Sequence, residues 1–179
     1  MKYFQKMTGE KCYLSPMNME DTEQFTRWLN DQEVVQYLDI AHINVSLPAE
    51  EKAMQRLINE HTYSIIDKKT DSLIGNCGLS DINHLNRTAT VGIFIGNKDY
   101  WGKGYGTEAL QLLLDYGFNT LNLRNIMLCV YSFNERARAC YEKIGFKKIG
   151  VRRKALFRNG KEHDIIFMDI LDTGFYRRK

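Results

Sequence analysis

Tyr100-Trp101-Gly102-Lys103-Gly104-Tyr105-Gly106-Thr107-Glu108-Ala109 stands between two patterned stretches. Before it runs the apolar Thr88 to Ile95. After it, from Gly106 to about Thr120, Leu110, Leu113, Leu114 and Phe118 recur at helical spacing. The order predicts strand, glycine loop, helix. Glycines at alternate positions let the backbone curl and come close to a ligand. The first amides of the helix have no internal partner and point outward with the positive end of the helix dipole, which suits a phosphate or pyrophosphate. Each such interaction contributes about 0.3–1 kcal/mol. Spacing excludes two familiar phosphate motifs. A Walker loop needs G-x-x-x-x-G-K-[ST], which is absent, and the dinucleotide fingerprint needs G-x-G-x-x-G where this chain has G-x-G-x-G. The loop alone leaves a purely structural glycine turn as an equal reading.

A second informative stretch is Asn134-Glu135-Arg136-Ala137-Arg138-Ala139-Cys140-Tyr141-Glu142-Lys143-Ile144-Gly145-Phe146. It follows Ile126 to Tyr131, which reads as a buried strand. Arg136 to Ile144 reads as a helix, with Gly145 as its stop. Asn134 is placed as the N-cap. Tyr141 lies seven positions on, near two helical turns away, so both can face one side. Packing at a core boundary is the plainer role for an isolated Tyr there.

Outward from these stretches, Cys12 to Leu14 reads as a strand broken by Ser15-Pro16. Glu20 to Asn30 reads as a helix with Phe25, Trp28 and Leu29 on one face. Asp39 to Val45 reads as a loop. Ser46 and Pro48 open another helix, whose apolar stripe is Met54, Leu57 and Ile58. Tyr63 to Ile66 and Leu73 to Leu79 form a hairpin about Asp67 to Ser72. Two last strands, near Lys147 to Arg153 and Asp164 to Leu171, flank the turn Asn159-Gly160. Strands first, then alternating strands and helices, predict an α/β fold with a mixed sheet flanked by helices. A length of 179 residues suits a single domain.

Composition narrows the partners. Apolar residues make up 44% of the chain, enough for a continuous core. Basic and acidic side chains number 25 and 22, a net charge of +3, too mild to make nucleic acid a partner. Arg177-Arg178-Lys179 reads as a solvated basic end. Cys12, Cys77, Cys129 and Cys140 form no C-x-x-C pair and no His cluster accompanies them, so no metal site is expected. Scattered cysteines, no apolar leader and no run long enough to span a membrane predict a cytoplasmic protein with no membrane partner.

Both stretches resemble signatures of the GNAT N-acetyltransferase superfamily. Trp101-Gly102-Lys103-Gly104-Tyr105-Gly106 is similar to its [QR]-x-x-G-x-[GA] loop. Asn134 to Phe146 is similar to its N-x-x-[AS]-x-x-x-Y-E-K-x-G-F segment. Order and separation match too. The Trp-Gly-x-Gly-Tyr variant and Asn159-Gly160-Lys161 before Asp164 resemble the RimJ/RimL branch. The resemblance covers the chain from Cys12 to Leu171 and treats residues 1–179 as one N-acetyltransferase domain.

The resemblance implies a mostly antiparallel sheet whose central strands, Thr88 to Ile95 and Ile126 to Tyr131, splay apart. It implies acetyl-CoA as co-substrate. Backbone at Phe94 and Ile95 would pair with the pantetheine arm, and an amide near Ile95 would stabilise the oxyanion. Trp101, Gly102, Lys103, Gly104, Tyr105, Gly106 and Thr107 would line the pyrophosphate, and Asn134 would hydrogen-bond the arm. Tyr141 would protonate the leaving thiolate. The acceptor would be a primary amine on a small molecule or a protein N-terminus, and the chain would form a homodimer. Two departures stand out. Trp101 occupies the [QR] position. Thr90-Val91-Gly92-Ile93-Phe94 carries no carboxylate where many relatives place a general-base Glu, which leaves Asp81, His84 and Glu33. That lack is what a non-catalytic acyl-CoA-binding or sensor domain on the same fold would also show.

Overall fold

A computed structural model describes residues 2–176. Arg177-Arg178-Lys179 lies outside the described residues. In chain order the elements are β1 (Met7–Thr8), β2 (Cys12–Pro16), α1 (Thr22–Leu29), α2 (Gln32–Val35), α3 (Leu47–Leu57), β3 (His61–Asp67), β4 (Leu73–Asn83), β5 (Thr88–Ile95), α4 (Tyr105–Asn119), β6 (Asn125–Tyr131), α5 (Glu135–Ile144), β7 (Lys147–Arg158), β8 (Lys161–Leu171) and α6 (Asp172–Tyr176). The strands form one mixed sheet in the order β1-β2-β3-β4-β5-β6-β8-β7. β1 to β4 pair antiparallel in succession, as do β6 with β8 and β8 with β7. The parallel ladder of β5 with β6 joins Thr88, Ala89 and Thr90 to Asn125, Ile126 and Met127, and both strands run on beyond it. The mixed, mostly antiparallel sheet is the one the sequence predicts.

The chain divides into two compact units, one up to Ser80 with Gly92–Tyr116, the other Asp81–Val91 with the chain from Gly117 onward. In the first, Tyr13, Leu14, Phe25, Met54, Ile65, Ile66 and Ile74 are buried, and Leu110, Leu113 and Leu114 form the buried face of α4. The second is organised by directly opposed apolar pairs, Ile126 with Ile170, Leu128 with Met168 and Val130 with Ile166. Such cross-strand pairs are what fixes register.

Several local expectations are corrected. Ser15-Pro16 does not break the first strand: Pro16 pairs with Tyr63 at the end of β2. β1 reaches only Tyr13 and Leu14, so the missing amide of Pro16 falls where no second ladder needs it. Asp39 to Val45 is not all loop, because Asp39–His42 makes a single 3-10 turn. Of the α3 stripe, Met54 is buried and Leu57 packs on a buried cluster, but Ile58 is the C-cap and is exposed. The last hairpin is longer than its apolar alternation suggested, because Asn159 and Gly160 both take positive φ and close it as a two-residue turn.

Candidate active site

β5 ends at Ile95, and the chain then turns through Lys98–Tyr100 into the glycine loop. Asn97 starts that turn by accepting from the Asp99 amide at 3.0 Å. The loop's large side chains all point back into the first unit. The Trp101 indole N–H donates to the Ile95 carbonyl at 2.9 Å, and its ring packs against the cluster of Met17, Phe25, Trp28, Val34 and Met54. The Tyr100 and Tyr105 hydroxyls reach Asp67 at 3.0 and 3.5 Å, with the two rings edge to face at 4.9 Å. Burial opposes ionisation of Asp67. The Lys69 amide and the hydroxyls of Thr70, Tyr100 and Tyr105 outweigh it and hold the carboxyl below its ordinary value.

The loop's backbone is left over. Among the described residues, the amides of Gly102 through Gly106 donate to no protein acceptor. Gly102 and Gly104 take φ of +71° and +87°, conformations that L side chains rarely adopt. A Cβ on Gly102 would meet nothing within 4 Å. Amides with no protein acceptor among the described residues, on a turn at the start of a fifteen-residue helix, are donors of the kind that suits an anion. Two residues outside the sequence expectations hold this turn. Lys11 Nζ donates to the Lys103 carbonyl at 2.9 Å. Glu108, in the first turn of α4, accepts from the backbone amides of Glu10, Lys11 and Cys12 at 2.9, 2.9 and 2.8 Å. Glu108 lies within the quoted stretch, but only the fold reveals its partners, nearly a hundred residues away.

The end of β5 is tightly seated. A Cβ on Gly75 would stand 2.0 Å from the Phe94 carbonyl oxygen, and one on Gly96 would stand 2.1 Å from the Trp28 ring. The Phe94 ring packs on Phe25 and Trp28 at 6.4 and 6.1 Å. The amides of Gly96 and Asn97 both donate to the Ile74 carbonyl at 3.0 Å, so neither serves as an oxyanion donor.

In the second unit, Asn134 caps α5 as expected. Its Oδ1 accepts from the Ala137 amide at 3.2 Å, which leaves its amide hydrogens to donate elsewhere. Tyr141 is half-buried, with its ring 5.9 Å from Phe146. Its hydroxyl has no hydrogen-bond partner among the described residues. Burial pushes the phenol well above its ordinary value, and the Cys140 and Cys129 thiols add to the shift. Tyr141 therefore keeps its proton across the neutral range.

The carboxylate and imidazole candidates for a general base fare worse. Glu33 is exposed and shares Lys98 Nζ with Asp31 at 2.8 and 2.9 Å. Asp81 and His84 are exposed. Among the described residues no three His, Cys, Asp or Glu side chains gather as a metal site requires, and no helix is long and apolar enough to cross a membrane.

Residues 11–147 match the Acetyltransferase (GNAT) domain family. The chain belongs to the GNAT acetyltransferase family. An uncharacterized N-acetyltransferase of Bacillus licheniformis is 32% identical over 169 residues, spanning 90% of this acetyltransferase and 93% of the relative. A putative ribosomal N-acetyltransferase of Bacillus subtilis is 37% identical over 100 residues, 56% of this chain and 54% of that protein. Among solved structures, spermidine N-acetyltransferase from Vibrio cholerae in complex with CoA and spermine superposes with a TM-score of 0.84 at 27% identity, covering 94% of this chain and 99% of the other. The acetyltransferase is thus an acetyl-CoA-dependent enzyme.

Proposed function

We propose that this acetyltransferase moves acetyl from acetyl-CoA to a primary amine on a small molecule or a protein N-terminus. We place it in the RimJ/RimL branch, as a cytoplasmic, homodimeric, single-domain enzyme. The observation that carries the cofactor half is the run of unpaired amides from Gly102 to Gly106 at the head of α4. The similar proteins named for spermidine and for the ribosome support both acceptor types.

Acetyl-CoA supplies the activated thioester carbon. The amides of Gly102 to Thr107 bind its pyrophosphate, and Lys103 adds positive charge. Backbone at Phe94 and Ile95 pairs with the pantetheine arm, and the Ile95 amide takes the oxyanion role that Gly96 and Asn97 cannot. The Asn134 amide group donates to the arm. Tyr141 holds its proton at neutral pH and gives it up toward the leaving sulfur. A phenol raised this far is a weaker acid than a thiol near 8.5, so the proton is shared late, as charge builds on sulfur.

Free thiol release from acetyl-CoA with a panel of primary amines, with mass detection of acetylated product, tests the reading. Thiol release no faster than hydrolysis across small amines and N-terminal peptides would defeat it. With a productive acceptor, Tyr141→Phe lowers the single-turnover rate by about 10–10⁴-fold while leaving acetyl-CoA affinity nearly unchanged. An unchanged rate removes the tyrosine from the chemistry.

A further inference from the structure

The lysines of the first unit differ in what their ammonium groups hold. Lys2 pairs with Asp21, and Lys98 pairs with Asp31 and Glu33. Lys11 has no carboxylate within ion-pair reach among the described residues. Its ammonium instead holds the backbone carbonyl of Lys103, an exposed residue 92 positions away, at 2.9 Å. Water could serve that carbonyl equally well. A long cationic side chain ordered on an exposed carbonyl costs rotamer entropy and needs a return elsewhere.

The rest of Lys11 is fixed so that only this reach remains. Its amide donates to Glu108 Oε2 at 2.9 Å, and its carbonyl accepts from the Lys68 amide at 2.9 Å. Lys68 Nζ in turn holds the Gly9 carbonyl at 2.9 Å. Cys12, the next residue, opens the ladder of β2 with β3 opposite Asp67. With both backbone groups bonded, the side chain carries its ammonium to the glycine turn. Gly104 makes room for it there: a Cβ at Gly104 would stand 3.2 Å from Lys11 Nζ and crowd it.

The Lys103–Gly104 peptide is trans, so its C=O and its N–H point in opposite directions. The carbonyl faces Lys11. The Gly104 N–H therefore faces away from Lys11, and it is one of the amides with no protein acceptor among the described residues. A cation on the carbonyl oxygen draws electron density toward it and makes the N–H at the other end of the peptide a stronger donor. The ammonium charge also adds to the potential felt by an anion on the amide side. We propose that Lys11 is a positioning residue for the co-substrate. It turns and polarises the Lys103–Gly104 peptide so that the Gly104 amide is presented to the pyrophosphate of acetyl-CoA, and it does not touch the phosphates itself. The proposal rests on the reading of the glycine turn as the pyrophosphate site and deepens it.

The test measures the affinity of CoA and of 3′-dephospho-CoA by calorimetry for wild type, Lys11→Met and Lys11→Arg. The two ligands share the pyrophosphate and differ only in the phosphate on the ribose. Methionine keeps the stem and removes both donor and charge, whereas arginine keeps both. Lys11→Met should bind each ligand about tenfold more weakly, the size of one charge-assisted hydrogen bond, and by the same factor for both. Lys11→Arg should recover most of that affinity. The urea midpoint of Lys11→Met should stay at the wild-type value, because the side chain is exposed and braces no core. A loss confined to CoA would put the ammonium on the ribose phosphate and overturn the proposal. So would a loss that Lys11→Arg does not recover, or one that comes with a lowered urea midpoint. Wild-type binding with an unchanged Lys11→Met removes Lys11 alone. Wild-type protein that binds neither ligand overturns the pyrophosphate reading and the proposal with it.

Discussion

Glu50 and Glu108 occupy the same position in two helices, the fourth residue of α3 and the fourth residue of α4. The helix dipole favours both anions to a similar degree, by less than about 1 kcal/mol. Their environments diverge completely. Glu108 spends its oxygens on three backbone amides that tie the Glu10–Cys12 segment to the head of the cofactor helix. Burial opposes its ionisation, but those amides outweigh it and hold the carboxyl below its ordinary value. Glu50 is only 6% exposed, no hydrogen bond or ion pair reaches it among the described residues, and desolvation pushes it up to about 6. Helical position decides neither case. Tertiary partners turn one carboxylate into a structural clamp and leave the other desolvated, with no hydrogen bond or ion pair among the described residues.

Removing the clamp should have the larger effect. Glu108→Gln leaves amides of Glu10, Lys11 and Cys12 short of an acceptor and sets an NH₂ group against them. A loss of about 2–3 kcal/mol is expected in urea unfolding at pH 7. The depressed value fixes the sign with pH. The contribution of Glu108 is present above the ordinary carboxylate range and is lost as pH falls through its lower folded value. The gap between wild type and variant should therefore close in acid. A gap of equal size at pH 3 and pH 7 would show that ionisation has no part in the clamp.

Glu50→Gln should act in the opposite direction and by less. Its folded value lies above the unfolded one, so the protonated form's advantage is complete below about 4.5 and is lost as pH rises through about 6. Wild type should lose roughly 1–2 kcal/mol over that window, and the variant, with nothing to titrate there, should not. By pH 7.5 Glu50→Gln should be the more stable protein. A variant less stable than wild type at pH 7.5 would mean that the carboxylate has a partner in solution.

Much of this frame is legible in the sequence. The unit from β5 through the glycine loop, α4, β6 and α5 announces itself, because local glycine, capping and periodicity signals agree with the resemblance. Asn134 as a cap and Gly145 as a stop follow from local chemistry alone. What escapes is tertiary. α2 is four residues long, too short for any periodicity, and is held by the Asp31 cap. The outer part of the last hairpin alternates poorly because Lys154 takes a positive φ and the register shifts between Arg152 and Leu156. Glu50, Glu108, Lys11 and Asp67 look like surface charge in a string of letters. Only the fold shows which of them meets an amide, a tyrosine or nothing.

The smallest change sharpens the cofactor side of the comparison. Gly102 and Gly104 have positive φ, so any side chain there strains the turn and confuses a folding effect with a binding effect. Gly106 does not, and an added Cβ would meet only Ile93 and Ile95 side chains at 3.7 Å, an ordinary contact. Alanine is also the better helix former, so Gly106→Ala should leave stability unchanged or raise it by up to about 1 kcal/mol. The methyl group, however, lies toward β5, along which the pantetheine arm is proposed to run, next to an amide with no acceptor. CoA affinity measured by calorimetry should fall by about tenfold, near 1.4 kcal/mol. Loss of affinity with retained stability would separate binding from folding within the loop, since Glu108→Gln should weaken both. Unchanged affinity would move the anion away from Gly106, toward the amides of Gly102 to Gly104, where the backbone is already bent outward.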